Sequence, residues 1–117
     1  MSSQPQVPRA HIDAGAGIVT LINVATVEPS DQQRLVDAWR HAAQEVMRHQ
    51  SGFVSASIHR SLDGTKVINY AQWENREALA AMFRDPQAIR HLSQFADVGI
   101  TSPVLCEVVS VYTATGS

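Results

Sequence analysis

The sequence predicts an α+β fold with the element order β-α-β-β-α-β. Runs rich in β-branched and aromatic residues predict four strands, at 17–27, 53–61, 66–73 and 104–112. A long amphipathic helical pattern at 30–50 follows the first run, and two shorter helical patterns at 76–83 and 86–95 follow the third. This order is typical of a ferredoxin-like domain with an antiparallel sheet.

Length and composition predict one domain without a membrane-spanning segment. The chain has 117 residues, of which 44% are hydrophobic and 17% are charged, as in ordinary globular domains. The net charge of −2 and the scattered basic residues argue against a nucleic-acid partner, and no apolar run reaches transmembrane length. We expect a domain at 17–113 between a flexible arm at 1–16 and a tail at 114–117. The arm lacks the features of a secretory signal, which favours a cytoplasmic location.

The first helix has recognisable ends. Ser30 and Gln33 follow Pro29 in a capping-box pattern, in which both side chains bond the first free backbone groups. Gly52 suits the left-handed position that follows a helix. Between these ends, apolar residues recur on one helical face, and they are Leu35, Val36, Trp39, Ala42, Ala43, Val46 and Met47.

The second half of the chain contains a hairpin and a divided helical region. Asp63-Gly64 predicts the turn between the second and third strands, because this pair accepts positive backbone angles. Asp85-Pro86 divides the helical region, since a residue before proline avoids the helical conformation. The fourth strand is expected after Pro103, at 104–112.

Apolar residues lie on both faces of the predicted strands. The helices cover only one side of a four-stranded sheet, so the other side would be a large exposed apolar patch in a monomer. We assign to this side Ile22, Val24, Val54, Ala56, Ile58, Ile68 and Tyr70. Packing against a second copy would bury the patch, and the sequence therefore predicts a homodimer through the sheet face.

Two asparagines interrupt the apolar face that the helices should cover. Asn23 and Asn69 each lie between apolar inward residues, on the first and third strands. Burial of an amide without a partner costs roughly 1–3 kcal/mol, so both side chains need partners. Either they bond each other, a water or a free carbonyl, or they line a pocket where they contact a bound oxygen.

Further polar residues fall near these amides in the strand pattern. Ser55, Ser57 and His59 share one alternation of the second strand with Phe53, and the small serines would leave room for a cavity. Trp73 lies on the face of Asn69, and its N–H needs an acceptor when it is buried.

No metal or phosphate motif accompanies these residues. The histidines show no ligand spacing, and the sequence contains neither a glycine-rich phosphate loop nor a flavin or nicotinamide fingerprint. Cys106 is alone in an apolar strand pattern, which indicates a small buried hydrophobic residue.

The stretch 52–74, GFVSASIHRSLDGTKVINYAQWE, resembles the antibiotic biosynthesis monooxygenase domain, especially the branch that forms quinones from anthrones and naphthacenones of aromatic polyketide pathways. The resemblance extends over about residues 17–112. It implies a dimeric α+β barrel and a monooxygenase with no cofactor and no metal, which uses molecular oxygen as co-substrate. The same fold serves many functions, so the exact substrate does not follow.

The resemblance also implies roles for individual residues. Asn23, Asn69 and Trp73 match residues implicated in catalysis, and the amides would stabilise a developing oxyanion. His59 matches a histidine of some relatives and is the candidate base. Leu79 stands where some relatives carry a tyrosine. The residues assigned to substrate contact are Ser55, Ser57, Leu79, Met82, Phe83 and His91.

Three other functions fit the same pattern. Haem degradation by the same fold would use Asn23 with a helical histidine, matched by His91, but those enzymes carry a tryptophan where Met82 stands. A non-catalytic dimer that binds an aromatic small molecule is the second alternative. An oxygenase of a simpler quinol is the third.

Overall fold

The computed structural model describes residues 7–93 and 99–116. The strands are β1 (Val19–Val27), β2 (Phe53–Arg60), β3 (Lys66–Trp73) and β4 (Gly99–Cys106), and the helices are α1 (Gln32–Glu45), α2 (Arg76–Met82) and α3 (Pro86–Ser93). Short 3-10 turns at Pro29–Asp31 and Met47–His49 flank α1. The strands form one antiparallel sheet in the order β2-β3-β1-β4. The predicted ferredoxin-like α+β fold is confirmed. Among the described residues, no helix has both the length and the apolar character needed to cross a membrane.

The helix α1 packs its apolar face against the sheet. Leu35 and Val36 are 2% and 5% exposed, because their side chains join the core beneath the helix. The predicted helix at 30–50 is divided, since α1 ends at Glu45 and a 3-10 turn follows. Gly52 then adopts a φ of 82°, as predicted, and a Cβ at this position would collide with the Cβ of Ala78.

The predicted capping box at the start of α1 is wrong. Ser30 lies inside the 3-10 turn that Pro29 opens, and neither this turn nor α1 has a side-chain cap. The Gln33 side chain donates instead to the Asp37 carboxylate at 2.9 Å, one helical turn ahead. A true side-chain cap occurs at α2, where Asn75 Oδ1 accepts from the Ala78 backbone N–H at 2.8 Å.

The fourth strand begins and ends earlier than predicted. It covers Gly99–Cys106 rather than 104–112, with Pro103 paired opposite Asn23. β4 is an edge strand, and an edge strand tolerates proline because one row of its backbone groups has no strand partner. Residues 107–116 lie outside the sheet, and Tyr112 is 88% exposed. The predicted end of the last helix, at 94–95, falls outside the described residues.

A bulge in β2 reverses the predicted faces of that strand. Phe53 pairs with Trp73 and Ser55 pairs with Gln72, so Val54 is one extra residue in the ladder. After the bulge, Ala56 and Ile58 point toward the helices and pack against the core, and their assignment to the outer face was wrong. The intervening residues Ser55, Ser57 and His59 lie on the outer face, because side chains alternate along a strand.

The core beneath the helices is divided into two clusters. We name the first the Trp73 cluster, which consists of Leu21, Val46, Ala71, Trp73, Leu79, Met82 and Ala88. We name the second the Val67 cluster, which consists of Ala25, Val27, Leu35, Val36 and Val67. On β1 and β3 the inward positions between the two clusters are Asn23 and Asn69, so the core is interrupted at the level of the two amides.

Candidate active site

A cavity of about 510 Å³ lies between the inner face of the sheet and the helices. Its volume is within the range of sites that hold drug-sized molecules, about 300–1,000 Å³. The floor comes from β1, β2 and β3, and the wall comes from the three helices and β4. The lining residues are Leu21, Asn23, Leu35, Trp39, Ala42, Ala43, Met47, Phe53, Ala56, Asn69, Ala71, Trp73, Met82, Phe83, Leu92, Thr101 and Pro103.

The two asparagines stand side by side on the cavity floor. Asn23 and Asn69 are direct partners in the antiparallel register of β1 and β3, and both line the cavity. Each has a buried Oδ1 without a hydrogen-bond partner among the described residues. A side-chain amide carries two N–H donors and one acceptor, and rotation about its last torsion exchanges them. The pair can therefore both donate to and accept from one bound oxygenated group.

Trp73 provides a third polar group without a partner. The side chain is 1% exposed and packs edge to face on Phe53, with ring centroids 5.4 Å apart. Its Nε1–H is buried, and no acceptor lies within hydrogen-bond distance in the described part of the chain. Buried polar atoms without partners are rare in folded proteins, so three of them around one cavity indicate a ligand site.

The remaining wall is largely apolar. Trp39, Ala42 and Ala43 come from the apolar face of α1, and Phe83 and Leu92 come from the helical region after β3. None of the described side chains that line the cavity is ionisable. The described residues also contain no group of three or more His, Cys, Asp or Glu side chains placed to hold a metal ion. Polarity in the cavity is therefore confined to neutral groups.

The structure brings together five of the ten residues predicted for the site. Asn23, Asn69, Trp73, Met82 and Phe83 line the cavity. The other five do not.

Leu79 and His91 are not among the residues that line the cavity. Leu79 is 3% exposed within the Trp73 cluster, where it supports the wall. His91 stacks on His41 of α1, with ring centroids 5.7 Å apart, and its Nδ1 lies 2.9 Å from the Gln87 carbonyl oxygen.

The predictions that Ser55, Ser57 and His59 face the pocket are wrong, because the bulge at Val54 turns all three to the outer face. Ser55 Oγ donates to Gln72 Oε1 at 2.6 Å. His59 is exposed, and its Nδ1 lies 3.1 Å from the Ser57 carbonyl oxygen.

Several lining residues were not assigned to the site from the sequence. Trp39 of α1 and Met47 of the following 3-10 turn belong to the apolar stripe of the predicted first helix, and such a stripe indicates core residues in the sequence. Thr101 and Pro103 were placed before the fourth strand, although they belong to β4. The available indication was the size of Trp39, since a large aromatic residue on a helix opposite two buried amides fits a ligand wall as well as a core.

Comparison with known proteins assigns the chain to a family. The sequence profile described as antibiotic biosynthesis monooxygenase matches residues 18–93. Tetracenomycin-F1 monooxygenase of Streptomyces glaucescens is 38% identical over 106 residues, which cover 91% of this chain and 95% of the relative.

Solved structures agree with this assignment. The monooxygenase from the gene ActVA-Orf6 of Streptomyces coelicolor, in complex with the ligand nanaomycin D, superposes with a TM-score of 0.73 and 30% identity over 86% of this chain and 94% of that chain. SnoaB, a cofactor-independent oxygenase from Streptomyces nogalater, shares the fold with a TM-score of 0.67 and 19% identity over 87% of this chain and 100% of that chain. The resemblance drawn from residues 52–74 is confirmed: the chain is a monooxygenase and belongs to the antibiotic biosynthesis monooxygenase family.

Proposed function

We propose that the protein is a cofactor-independent monooxygenase that oxidises an aromatic polyketide phenol, of the anthrone or naphthacenone type, to a quinone with dioxygen. One observation carries the proposal: Asn23 Oδ1, Asn69 Oδ1 and Trp73 Nε1 are buried without partners around one apolar cavity. A flat molecule with phenolic O–H groups and a carbonyl oxygen on one edge would supply their missing partners, because an O–H group donates to an amide oxygen and a carbonyl oxygen accepts from the indole N–H. Its ring faces would contact the apolar wall.

The reaction balances without any further reagent. Transfer of one proton from the CH₂ carbon of an anthrone to solvent water gives an enolate, which transfers one electron to dioxygen, and the two radicals combine into a carbon-bound peroxide. Loss of the second proton from that carbon breaks the O–O bond and leaves a carbonyl. One oxygen atom enters the product and the other leaves as water. The electron-rich substrate is the reductant throughout.

Three residues have roles in this scheme. The N–H groups of Asn23 and Asn69 donate to the enolate and peroxide oxygens as negative charge develops there, and one such donor is worth roughly 2.7–4 kcal/mol. The Nε1–H of Trp73 donates to an oxygen of the ring system and fixes its orientation. The apolar wall excludes water from the radical pair.

The first proton is assigned to the substrate's own acidity rather than to a protein base. No ionisable side chain is among the described residues that line the cavity, and His59 lies on the outer face of the sheet. Hydrogen bonds to the charged form of a phenol or anthrone lower its pKa, so the amides promote ionisation without accepting the proton. The pH profile should therefore follow the substrate, and His59→Ala should retain the wild-type rate.

We also propose a homodimer through the outer face of the sheet. Ile22, Val24, Ile68 and Tyr70 lie on this face, which the helices do not cover, and Val104 of β4 is 51% exposed beside them. Such a patch favours burial against a second copy. A charged substitution, Ile22→Asp, is expected to yield a monomer in analytical ultracentrifugation.

Two relatives support the substrate class. Tetracenomycin-F1 monooxygenase, which is named for tetracenomycin F1, is 38% identical to this chain. The ActVA-Orf6 monooxygenase was solved with nanaomycin D, and it is 30% identical. SnoaB, which shares the fold, is a cofactor-independent oxygenase.

The experiment that tests the proposal is oxygen uptake by protein purified without added metal or cofactor, with the anthrone dithranol as substrate. Oxygen uptake and quinone formation above the buffer rate, slowed by Asn69→Ala without unfolding, would support it. A wild-type rate equal to buffer would contradict it. Tight binding without oxygen uptake would indicate a binding protein, and a haem chromophore lost in His91→Ala would indicate haem chemistry.

A further inference from the structure

We infer that Trp39 is the specificity-determining residue for the far end of the substrate, and that it selects for ring systems of three or more fused rings. The inference rests on the proposed function, because it concerns the same cavity. Trp39 is half-buried and lines the cavity from α1.

The two tryptophans of the chain stand against different parts of the core. Trp73 belongs to the Trp73 cluster, whereas Trp39 packs against the Val67 cluster. The amides of Asn23 and Asn69 occupy the level between these clusters on β1 and β3. One indole therefore flanks the amides on each side, and a substrate held by the amides and Trp73 extends toward Trp39 as its ring number increases.

The surroundings of Trp39 favour a flat ligand. Ala42 and Ala43, one turn further along α1, share its helical face and also line the cavity. Their small side chains leave open space beside the indole. Trp39 is only half-buried although it lies over the core, whereas Trp73 is 1% exposed. An aromatic ring of the substrate placed in this space would cover the indole by offset stacking.

The test compares ligands of increasing length on Trp39→Leu, which keeps an apolar side chain but removes the aromatic face. Three quinones serve as unreactive probes: a two-ring hydroxynaphthoquinone, the three-ring 1,8-dihydroxyanthraquinone and a four-ring hydroxynaphthacenequinone. The sequence contains two tryptophans and both line the cavity, so quenching of Trp73 emission still reports binding in this variant.

We expect Trp39→Leu to weaken binding of the four-ring and three-ring quinones by about fivefold to tenfold, as a lost stacking contact requires. The dissociation constant of the two-ring quinone should change less than about twofold, because that ligand stays at the Trp73 end. With dithranol, KM should rise while kcat stays within about twofold, since the reacting carbon is held by other residues. Trp39→Phe should recover most of the binding.

The matched control is Arg40→Ala, at the next position of α1, which is exposed and, among the residues that the structure describes, pairs only with the Asp37 carboxylate at the surface. Its dissociation constants should equal those of the wild type. An equal loss for all three quinones in Trp39→Leu would overturn the inference, because it would indicate general distortion of the cavity, and so would no loss for any of them. A wild-type protein that neither binds these quinones nor oxidises dithranol would instead contradict the proposed function.

Discussion

The two faces of the β1–β3 strand pair differ in the hydrogen bonding of their side-chain amides. On the outer face, Gln72 is 3% exposed and both polar atoms of its amide have a partner, since Nε2 donates to the His11 carbonyl at 2.8 Å and Oε1 accepts from Ser55 Oγ at 2.6 Å. On the inner face, Asn23 and Asn69 have carbonyl oxygens without partners among the described residues. The outer amide joins the N-terminal arm and β2 to β3, whereas the inner amides are free to bind a ligand.

The difference teaches that residue type and burial alone do not identify a site, and that a buried polar atom without a hydrogen-bond partner does so only beside a cavity. Each face carries an amide on β3 with a buried oxygen, and of these two it is Asn69, whose oxygen lacks a partner among the described residues, that lines the cavity. Thr20 is the exception on the outer face, because its buried Oγ1 also has no partner in the described part of the chain. It stands opposite Gln72 on the face that we propose a second copy covers.

The largest expected effect is on the inner face. Asn69→Ala should lower kcat about 100- to 1,000-fold, the loss that follows removal of one oxyanion donor. The free energy of unfolding should stay equal or rise, because a buried amide without a partner destabilises the folded state. Steady-state oxygen uptake and urea denaturation measure the two quantities. A large loss of stability with little loss of kcat would show that the amide is structural.

Trp73→Phe should have the next largest effect. Loss of a hydrogen bond to a charged oxygen predicts a decrease in kcat of about 10- to 100-fold. The contact with Phe53 keeps an aromatic partner, but the smaller ring leaves a cavity that lowers the free energy of unfolding by about 1–2 kcal/mol. Activity measured well below the melting temperature separates these effects. An unchanged kcat would assign Trp73 to packing alone.

Gln72→Ala should show the opposite behaviour to Asn69→Ala. Its removal leaves the His11 carbonyl and the Ser55 hydroxyl without their partner, so the free energy of unfolding should fall by about 1–3 kcal/mol. The kcat at low temperature should change less than about twofold. Chemical denaturation and oxygen uptake on the same preparation give both values. A loss of kcat as large as that of Asn69→Ala would remove the distinction between the two faces.

The smallest expected effect lies in the β2–β3 turn, away from both faces. Hydrogen bonds from the Thr65 and Ser61 side chains lower the pKa of Asp63 to about 2. Because the folded pKa is below the unfolded value of about 3.9, the carboxylate stabilises the fold above that pH. This contribution is lost as the pH falls from about 4 to 2.

Asp63→Asn should therefore be slightly less stable than the wild type at neutral pH, and the difference should shrink on acidification. Denaturation midpoints at several pH values measure it, with kcat unchanged. A difference that stays constant across this pH window would contradict the assignment to the carboxylate.

The inner face of β1 and β3 could be predicted from the sequence because both strands are regular. Apolar residues at every second position fix which side chains face the helices, and Asn23, Asn69 and Trp73 follow from that alternation. The hydrogen-bond partners of each amide depend on the folded chain. The alternation therefore indicated which amides face inward, but it could not distinguish an amide that bonds to the protein from one that binds a ligand.

The faces of β2 and the bounds of β4 could not be predicted, for different physical reasons. The bulge at Val54 arises from pairing with β3 and has no local signature, since neither glycine nor proline marks it. In β4, Pro103 looks like a strand breaker, and only the position of the strand at the sheet edge makes it tolerable. Trp39 was not assigned to the site because a residue that lines a cavity and a residue that fills the core recur with the same helical period.

The bulge also determines where β2 tolerates the insertion or deletion of a single residue. Val54 is surplus to the pairing of β2 with β3, so its deletion would leave Phe53 and Ala56 on the cavity side. A deletion or insertion of one residue between Ala56 and the hairpin would instead move each following side chain of β2 to the opposite face of the sheet. His59 or its neighbours would then lie beneath the helices. When related chains of different length are aligned through β2, the gap therefore belongs at Val54.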